Sequence, residues 1–158
     1  MKLFQIHKMS HRKIGSHTIF DNVFHIVFST KHRSRNLDVI TKIKIRNFIR
    51  EKERELSLRI FIMNGYKDHM HILVAIPTTM SLARVLNHFK GYSAFRLQRG
   101  IFWQKGYYAK VIQPSEIKYV YQYIRYQYQH HSCNEGIISE LEIEIFNRRL
   151  SRELKKAS

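Results

Sequence analysis

Residues 68–77 read DHMHILVAIP. An apolar run of this length, opened by Asp68 and closed by Pro77, predicts a strand buried on both faces. Successive side chains on a strand point to opposite faces, so His69 and His71 share one face while Met70, Ile72 and Val74 share the other. Two imidazoles one residue apart on a strand are close enough to hold one divalent ion. The same triplet also occurs as ordinary strand-end histidines, and spacing alone does not choose between the two.

The chain around this strand is 158 residues long, 44% apolar and 13% aromatic, which predicts one folded domain with a sizeable core. A single cysteine, Cys133, excludes a disulfide framework and a cysteine-rich metal site. The basic opening, MKLFQIHKMSHRKIGSH, has no apolar core of signal-peptide length, and no apolar run reaches membrane-spanning length. A soluble, cytoplasmic protein with no membrane partner is the expectation.

Charge is the most telling bulk property. Lys and Arg number 28 against 12 Asp and Glu, a formal +16, and the excess is uneven. From Cys133 onward five basic residues (Arg148, Arg149, Arg152, Lys155, Lys156) offset five acidic ones (Glu135, Glu140, Glu142, Glu144, Glu153), so the first 132 residues carry the whole surplus, 23 minus 7. Such a charge on a folded domain points to a polyanion, and nucleic acid before membrane, because no basic amphipathic helix with an apolar membrane face stands out.

Working outward, Val23–Thr30 (VFHIVFST) sets Phe24, Ile26 and Phe28 against Val23, His25 and Val27, a strand pattern. The basic loop after it, with Lys31, Arg33 and Arg35, is suited to gripping phosphates. Asp38 is placed to cap a helix reaching about Glu55, with Val39, Ile40, Ile43, Phe48 and Ile49 as its apolar positions. Leu58, Ile60 and Ile62 alternate, and Asn64-Gly65 reads as the turn of a hairpin into the His69 strand. Ser81 caps a second helix with Leu82, Val85, Leu86 and Phe89 buried. Its remaining surface mixes Arg84, His88, Lys90, Arg96 and Arg99 with Tyr92 and Phe95, a combination that suits single-stranded nucleic acid.

A loop around Gly106 leads to a short strand ending near Ile112, and Ser115 is expected to cap the next helix. In that helix Ile117, Val120, Tyr121, Ile124 and Tyr128 form the buried stripe. Tyr119, Tyr123, Tyr126 and His130 lie off it, with Gln127 one turn beyond Tyr123. Spacing does not select among these tyrosines. A charge-neutral, weakly amphipathic helix with Ile138, Leu141, Ile145, Phe146 and Leu150 closes the chain. The order strand, helix, strand, strand, helix, strand, helix predicts an α+β fold, a ferredoxin-like or RRM-like antiparallel sheet with helices packed on one face.

The blocks HIVFSTKHRSRNLD, NGYKDHMHILVAIPTTMSLARVLNHFKGYSAFRL, FWQKGYYAKVI and YIRYQYQHH, in this order, resemble the single-tyrosine HUH transposases of bacterial insertion sequences, the IS200-like kind. The similarity spans about Val23 to His131. It implies a catalytic domain over residues 23–131, between a basic lead-in (1–22) and a helical tail (132–158) that match no block. It further implies His69 and His71 as metal ligands, Tyr123 as nucleophile with Tyr126 as its competitor, and Gln127 as a third ligand. Lys31, Arg33, Arg35, Lys90 and Arg96 are expected at the DNA.

The cofactor implied is Mg²⁺ or Mn²⁺, the substrate single-stranded DNA with hairpins at the element's ends. The assembly implied is a homodimer in which the tyrosine helix acts in trans. The reaction would pass through a 5′-phosphotyrosine link that keeps the bond energy, so rejoining needs no ATP. Two other readings stand beside it, a hairpin-binding DNA or RNA module without catalysis and a metal nuclease that uses water.

Overall fold

The computed structural model describes residues 13–14, 19–20, 22–100, 102–127 and 129–131. The closing helix expected beyond Cys133, and Tyr128 in the expected stripe, lie outside them. A two-residue ladder, β1 (Lys13–Ile14) with β2 (Ile19–Phe20), precedes the main body. That body runs β3 (Val23–Ser29), α1 (Val39–Glu55), β4 (Arg59–Gly65), β5 (His69–Ala75), α2 (Leu82–Arg96), β6 (Tyr108–Val111) and α3 (Ile117–Arg125). Its strands make one antiparallel sheet in the order β4-β5-β3-β6. This is the α+β, ferredoxin-like arrangement that the order of elements predicts.

The run after His69 is the central strand β5, buried along nearly its whole length, as its lack of alternation requires. Met70, Ile72 and Val74 meet Ile26 and Phe28 of β3, Ile45 and Ile49 of α1, and Val85, Leu86 and Phe89 of α2 in the larger core. Leu73 turns the other way, joining Val23, Phe61, Ile62 and Ile112 under Ile117, Val120 and Ile124 of α3. So α1 and α2 cover one face, as expected, and the third helix is laid across the opposite one. That second face is the one that carries His25, His69 and His71.

Local chemistry explains most of the boundaries. Asp38 caps α1 through its carboxylate, which accepts the Thr41 N–H at 2.6 Å, and Ser81 caps α2 by accepting from Arg84 N–H at 3.3 Å. The third helix departs from expectation. Pro114–Glu116 form a short 3₁₀ turn capped by Gln113, whose N–H donates to Glu116 Oε2 at 3.0 Å, so Ser115 lies inside the turn instead of capping it.

Two sequence expectations about α1 and β4 change. The buried side of α1 holds Thr41, Lys42, Ile45, Arg46 and Ile49, while Ile40 is 54% exposed. Phe48 instead faces α2, under Arg96 and beside Tyr92. In β4 an irregularity between Ile60 and Ile62 breaks the alternation, so Ile60 enters the larger core and Ile62 the smaller.

Asn64-Gly65 is not the hairpin turn. Both residues belong to β4, and the chain reverses through Tyr66, Lys67 and Asp68, closed by Tyr66 N–H donating to His69 O at 3.0 Å. Gly65 is needed for close approach, since a Cβ there would run into the His69 carbonyl and sit 2.7 Å from Met70 Sδ. Asn64, paired with His71 across the ladder, is buried and sends its amide Nδ2 to the carbonyls of Ile124 at 2.8 Å and Arg125 at 3.1 Å. Those are orphan acceptors at the C-terminal end of α3, so one strand residue caps the helix on the facing layer.

Asn64→Ala is therefore expected to cost about 2 kcal/mol, read as a lower urea midpoint, by removing both donors from buried acceptors. An unchanged midpoint would show that the apolar contacts of α3 hold it without this cap.

Candidate active site

Two strands and one helix supply the site. His25 from β3 and His69 and His71 from β5 lie on the α3 side of the sheet, and Tyr123 of α3 stands over them. The ring centroids of His69 and His71 are 5.0 Å apart. The Tyr123 ring lies 5.8 Å from His71 and 6.1 Å from His25, nearly perpendicular to both. His130 is 5.6 Å from Tyr123, while His131 sits 5.1 Å from His69 and stacks on Tyr66 at 4.5 Å.

Each histidine of the pair has one ring nitrogen already engaged. His69 Nδ1 is 2.6 Å from Asp68 Oδ1, and His71 Nδ1 is 2.9 Å from His25 Nε2. In a metal-binding imidazole the second nitrogen commonly has such a partner, which fixes ring and tautomer. Burial would raise the Asp68 carboxyl, but the hydrogen bond and charge of His69, helped by Arg33, hold it below the usual range. His71 is pushed down to about 2, first by burial and then by repulsion from His69, His25 and His131. His71 is thus neutral at physiological pH, the form that can donate a lone pair to a metal without first losing a proton.

Gln127 lies one turn beyond Tyr123. The backbone leaves helical geometry at Tyr126 (φ −98°, ψ 16°), and Gln127 is buried, not part of the exposed row of tyrosines beside it. Its Nε2 donates to Tyr123 O at 3.3 Å, while its Oε1 has no hydrogen-bond partner. A buried amide oxygen without a donor is costly, and a cation would relieve it. Among the described residues no group of three or more His, Cys, Asp or Glu side chains is arranged to hold a metal ion. Imidazole nitrogens and a carboxamide oxygen are nevertheless donors that a divalent ion with open positions for phosphate and water can accept, the imidazoles alone suiting Zn²⁺ as well.

The residues expected at DNA divide. Lys31 and Arg35 lie on the loop after β3, where His32 and Arg33 take left-handed backbone (φ 56° and 53°). Arg33 donates Nε to Asp68 Oδ2 at 2.9 Å, which places it behind the His69 partner. Lys90 and Arg96 are placed elsewhere. Lys90 Nζ donates to the carbonyls of Gln104 at 2.7 Å and Gly106 at 2.9 Å, tying the loop before β6 to α2, and burial lowers its pKa. Arg96 binds Glu51 at 2.9 Å and lies over Phe48, joining α2 to α1 across the sheet from the histidines. Positive charge in the sequence did not show that these two cations have partners within the fold.

Sequence reasoning did not single out His25, Asp68 or His131. A signal for His25 was present, because the alternation in β3 puts it with Val23 and Val27, and ferredoxin-like strand order sets β3 beside β5. His131 had no such signal, since it needs the path of the chain beyond Arg125.

The fold is one that transposases share. A Deinococcus radiodurans protein assigned as a transposase superposes with a TM-score of 0.59 at 19% identity, covering 73% of this chain and 97% of that one. A REP-associated tyrosine transposase bound to a REP hairpin superposes with a TM-score of 0.61 at 13% identity, covering 79% of this chain and 76% of that one. Residues 18–127 match the family described as "Transposase IS200 like", and the chain belongs to it. The transposases for insertion sequence element IS200 of Salmonella typhimurium and Salmonella typhi are each 25% identical over 140 residues, 82% of this chain and 91% of theirs. Family membership carries DNA cleavage and transposition as the activity. Among the described residues no helix is long and apolar enough to cross a membrane.

Lys90→Met is expected to lower stability by about 1 kcal/mol through the two solvent-exposed hydrogen bonds it removes from the loop before β6. The salt slope of DNA binding is expected to stay the same. A slope reduced by about one unit at unchanged stability would place Lys90 at a phosphate after all.

Proposed function

We propose that this transposase cuts and rejoins single-stranded DNA through a covalent link to Tyr123. The observation that carries the reading is the perpendicular contact of the Tyr123 ring with His71, beside the unpartnered Gln127 oxygen. Tyr123 Oη attacks a phosphodiester, forming the Oη–P bond as the bond from phosphorus to the 3′ oxygen breaks. The phenolic proton ends, net, on the departing oxygen. The products are a 5′-phosphotyrosine and a free 3′ hydroxyl, and attack by a 3′ hydroxyl on the same link reverses the chemistry at a new junction.

His69, His71 and Gln127 would hold Mg²⁺ or Mn²⁺. When bound, the ion supplies Lewis-acid polarisation of the scissile phosphate and neutralises charge that develops on it. The chain does the rest. Asp68 and His25 orient the two imidazoles, and α3 holds the phenol against His71 so that attack begins from a positioned nucleophile. The Tyr123 ring meets His25 and His71, whereas the ring of Tyr126, the competing nucleophile just after α3, lies beside Arg125, which supports Tyr123 over it.

The proposed catalytic unit spans residues 23–131, with Lys31 and Arg35 of the β3 loop meeting DNA phosphates. The proposed substrate is hairpin-bearing DNA, for which the hairpin-bound relative gives support. The proposed assembly is a homodimer with Tyr123 serving the partner's histidines. In the single chain Tyr123 lies against its own His71, so trans action requires α3 of each subunit to change places.

With Mn²⁺ and labelled single-stranded hairpins, a denaturant-resistant protein–DNA adduct is expected. It should persist in Tyr126→Phe and vanish in Tyr123→Phe and in the His69→Ala, His71→Ala double variant. Cutting without any adduct would favour a water-using nuclease, and tight hairpin binding without cutting would favour a binding module.

Mixing Tyr123→Phe chains with His69→Ala, His71→Ala chains is expected to restore cleavage, because one composite site per mixed dimer is then complete. No recovery would confine each tyrosine to the histidines of its own chain.

A further inference from the structure

The contact between His25 and His71 is more specific than two rings side by side. Their centroids are 5.2 Å apart and the planes differ by 19°, while the facing nitrogens, His25 Nε2 and His71 Nδ1, are 2.9 Å apart. The difference between these distances is taken up almost in full by the two ring radii. The nitrogens therefore lie close to the line joining the centroids, and the imidazoles meet edge to edge in nearly one plane. That is the geometry of a strong N–H···N hydrogen bond. Only one proton can occupy it.

Which ring owns that proton decides what His71 can do. If His71 Nδ1 carries it, His71 Nε2 keeps a lone pair and can bind a metal. If His25 Nε2 carries it, a neutral His71 must be protonated at Nε2 and cannot. His69 has the same question answered by a carboxylate, since Asp68 Oδ1 accepts from Nδ1 at 2.6 Å. Among the described residues the partner of His71 Nδ1 is not a carboxylate. Its partner is a second imidazole, brought from β3 by a register that pairs Val27 with His71 and leaves His25 on the diagonal.

We propose that His25 is a positioning residue for the transposase site: its Nε2 accepts the Nδ1–H of His71, fixing His71 in the tautomer whose Nε2 is a ligand. This rests on the metal reading for its purpose, but the tautomer is a property of the metal-free protein. The near-coplanar pair also makes one flat surface, and the Tyr123 ring stands on it at 78° to His25 and 79° to His71. One residue thus sets the orientation of a ligand and of the surface against which the nucleophile rests.

The test is ¹⁵N NMR of the imidazoles in the metal-free protein at neutral pH, with Mn²⁺ affinity measured in parallel by electron paramagnetic resonance. The parent is expected to show His71 protonated at Nδ1. His25→Phe keeps a flat ring but has no acceptor, so His71 should move to the Nε2–H form and Mn²⁺ affinity should fall about 10- to 100-fold. His25→Gln can return an amide oxygen to the same position and should recover most of both. An Nε2–H His71 in the parent, or an Nδ1–H His71 that survives His25→Phe, overturns the proposal. A parent that binds no Mn²⁺ but shows the His25-dependent tautomer keeps the positioning role and removes the metal from the proposed function.

Discussion

The hydrogen bonds from Asn64 Nδ2 to the carbonyls of Ile124 and Arg125 are the constraint on which the site's geometry depends. They join the C-terminal end of α3 to the strand residue paired with His71, so the helix that carries Tyr123 is registered against the strand that carries the histidines. Apolar contacts alone would not do this. Ile117, Val120 and Ile124 could slide over Leu73 and Phe61 with little loss, because burial is non-directional, whereas two directed bonds to the helix end fix it along and around its axis.

Two of the site's histidines are held against protonation in a strongly positive protein. Burial and crowding keep His71 uncharged, and burial together with Lys110 lowers His25. Charge that would repel a metal is thereby kept off these two rings. Some of the positive surface is paired within the fold: Arg50 with Glu53, Arg96 with Glu51 and Lys110 with Glu116. With +16 overall, the attraction for a polyanion is a property of the summed field more than of particular contacts. That is why charge points to nucleic acid in the sequence without showing that Lys90 and Arg96 also have partners within the fold.

The legible part of the fold followed from periodicity and caps. The continuous apolar run of β5, the alternation in β3, and the side chains of Asp38 and Ser81 at helix starts are all local signals, and the structure follows them. Apart from the Ser115 cap, what failed was not local. The turn reading of Asn64-Gly65 obeyed turn statistics, but Gly65 is required by the approach of the His69 backbone, and Asn64 by a helix sixty residues later. The irregularity in β4 sends Ile60 and Ile62 to opposite faces, which no alternation rule anticipates. At the site, the paired histidines were readable from strand geometry. Singling out Tyr123 and Gln127 needed the family resemblance, because spacing left Tyr119, Tyr123 and Tyr126 undecided and did not mark Gln127.

Strand order explains why so distant a set of residues converges. Placing β5 between β3 and β4 puts His25 diagonal to His71 and Asn64 opposite it, although the three are brought together from positions 25, 64 and 71. The last strand, β6, pairs with β3 on the far side, so α3 starts beside β3 and must cross β3 and β5 to reach Asn64 on β4. Its path takes it over both histidine strands. The smaller core beneath it shares no residue with the larger core under α1 and α2, whose packing defines the domain. The two faces of one sheet are thus joined through β5, whose Met70, Ile72 and Val74 fill the larger core while His69, His71 and Leu73 face the α3 side.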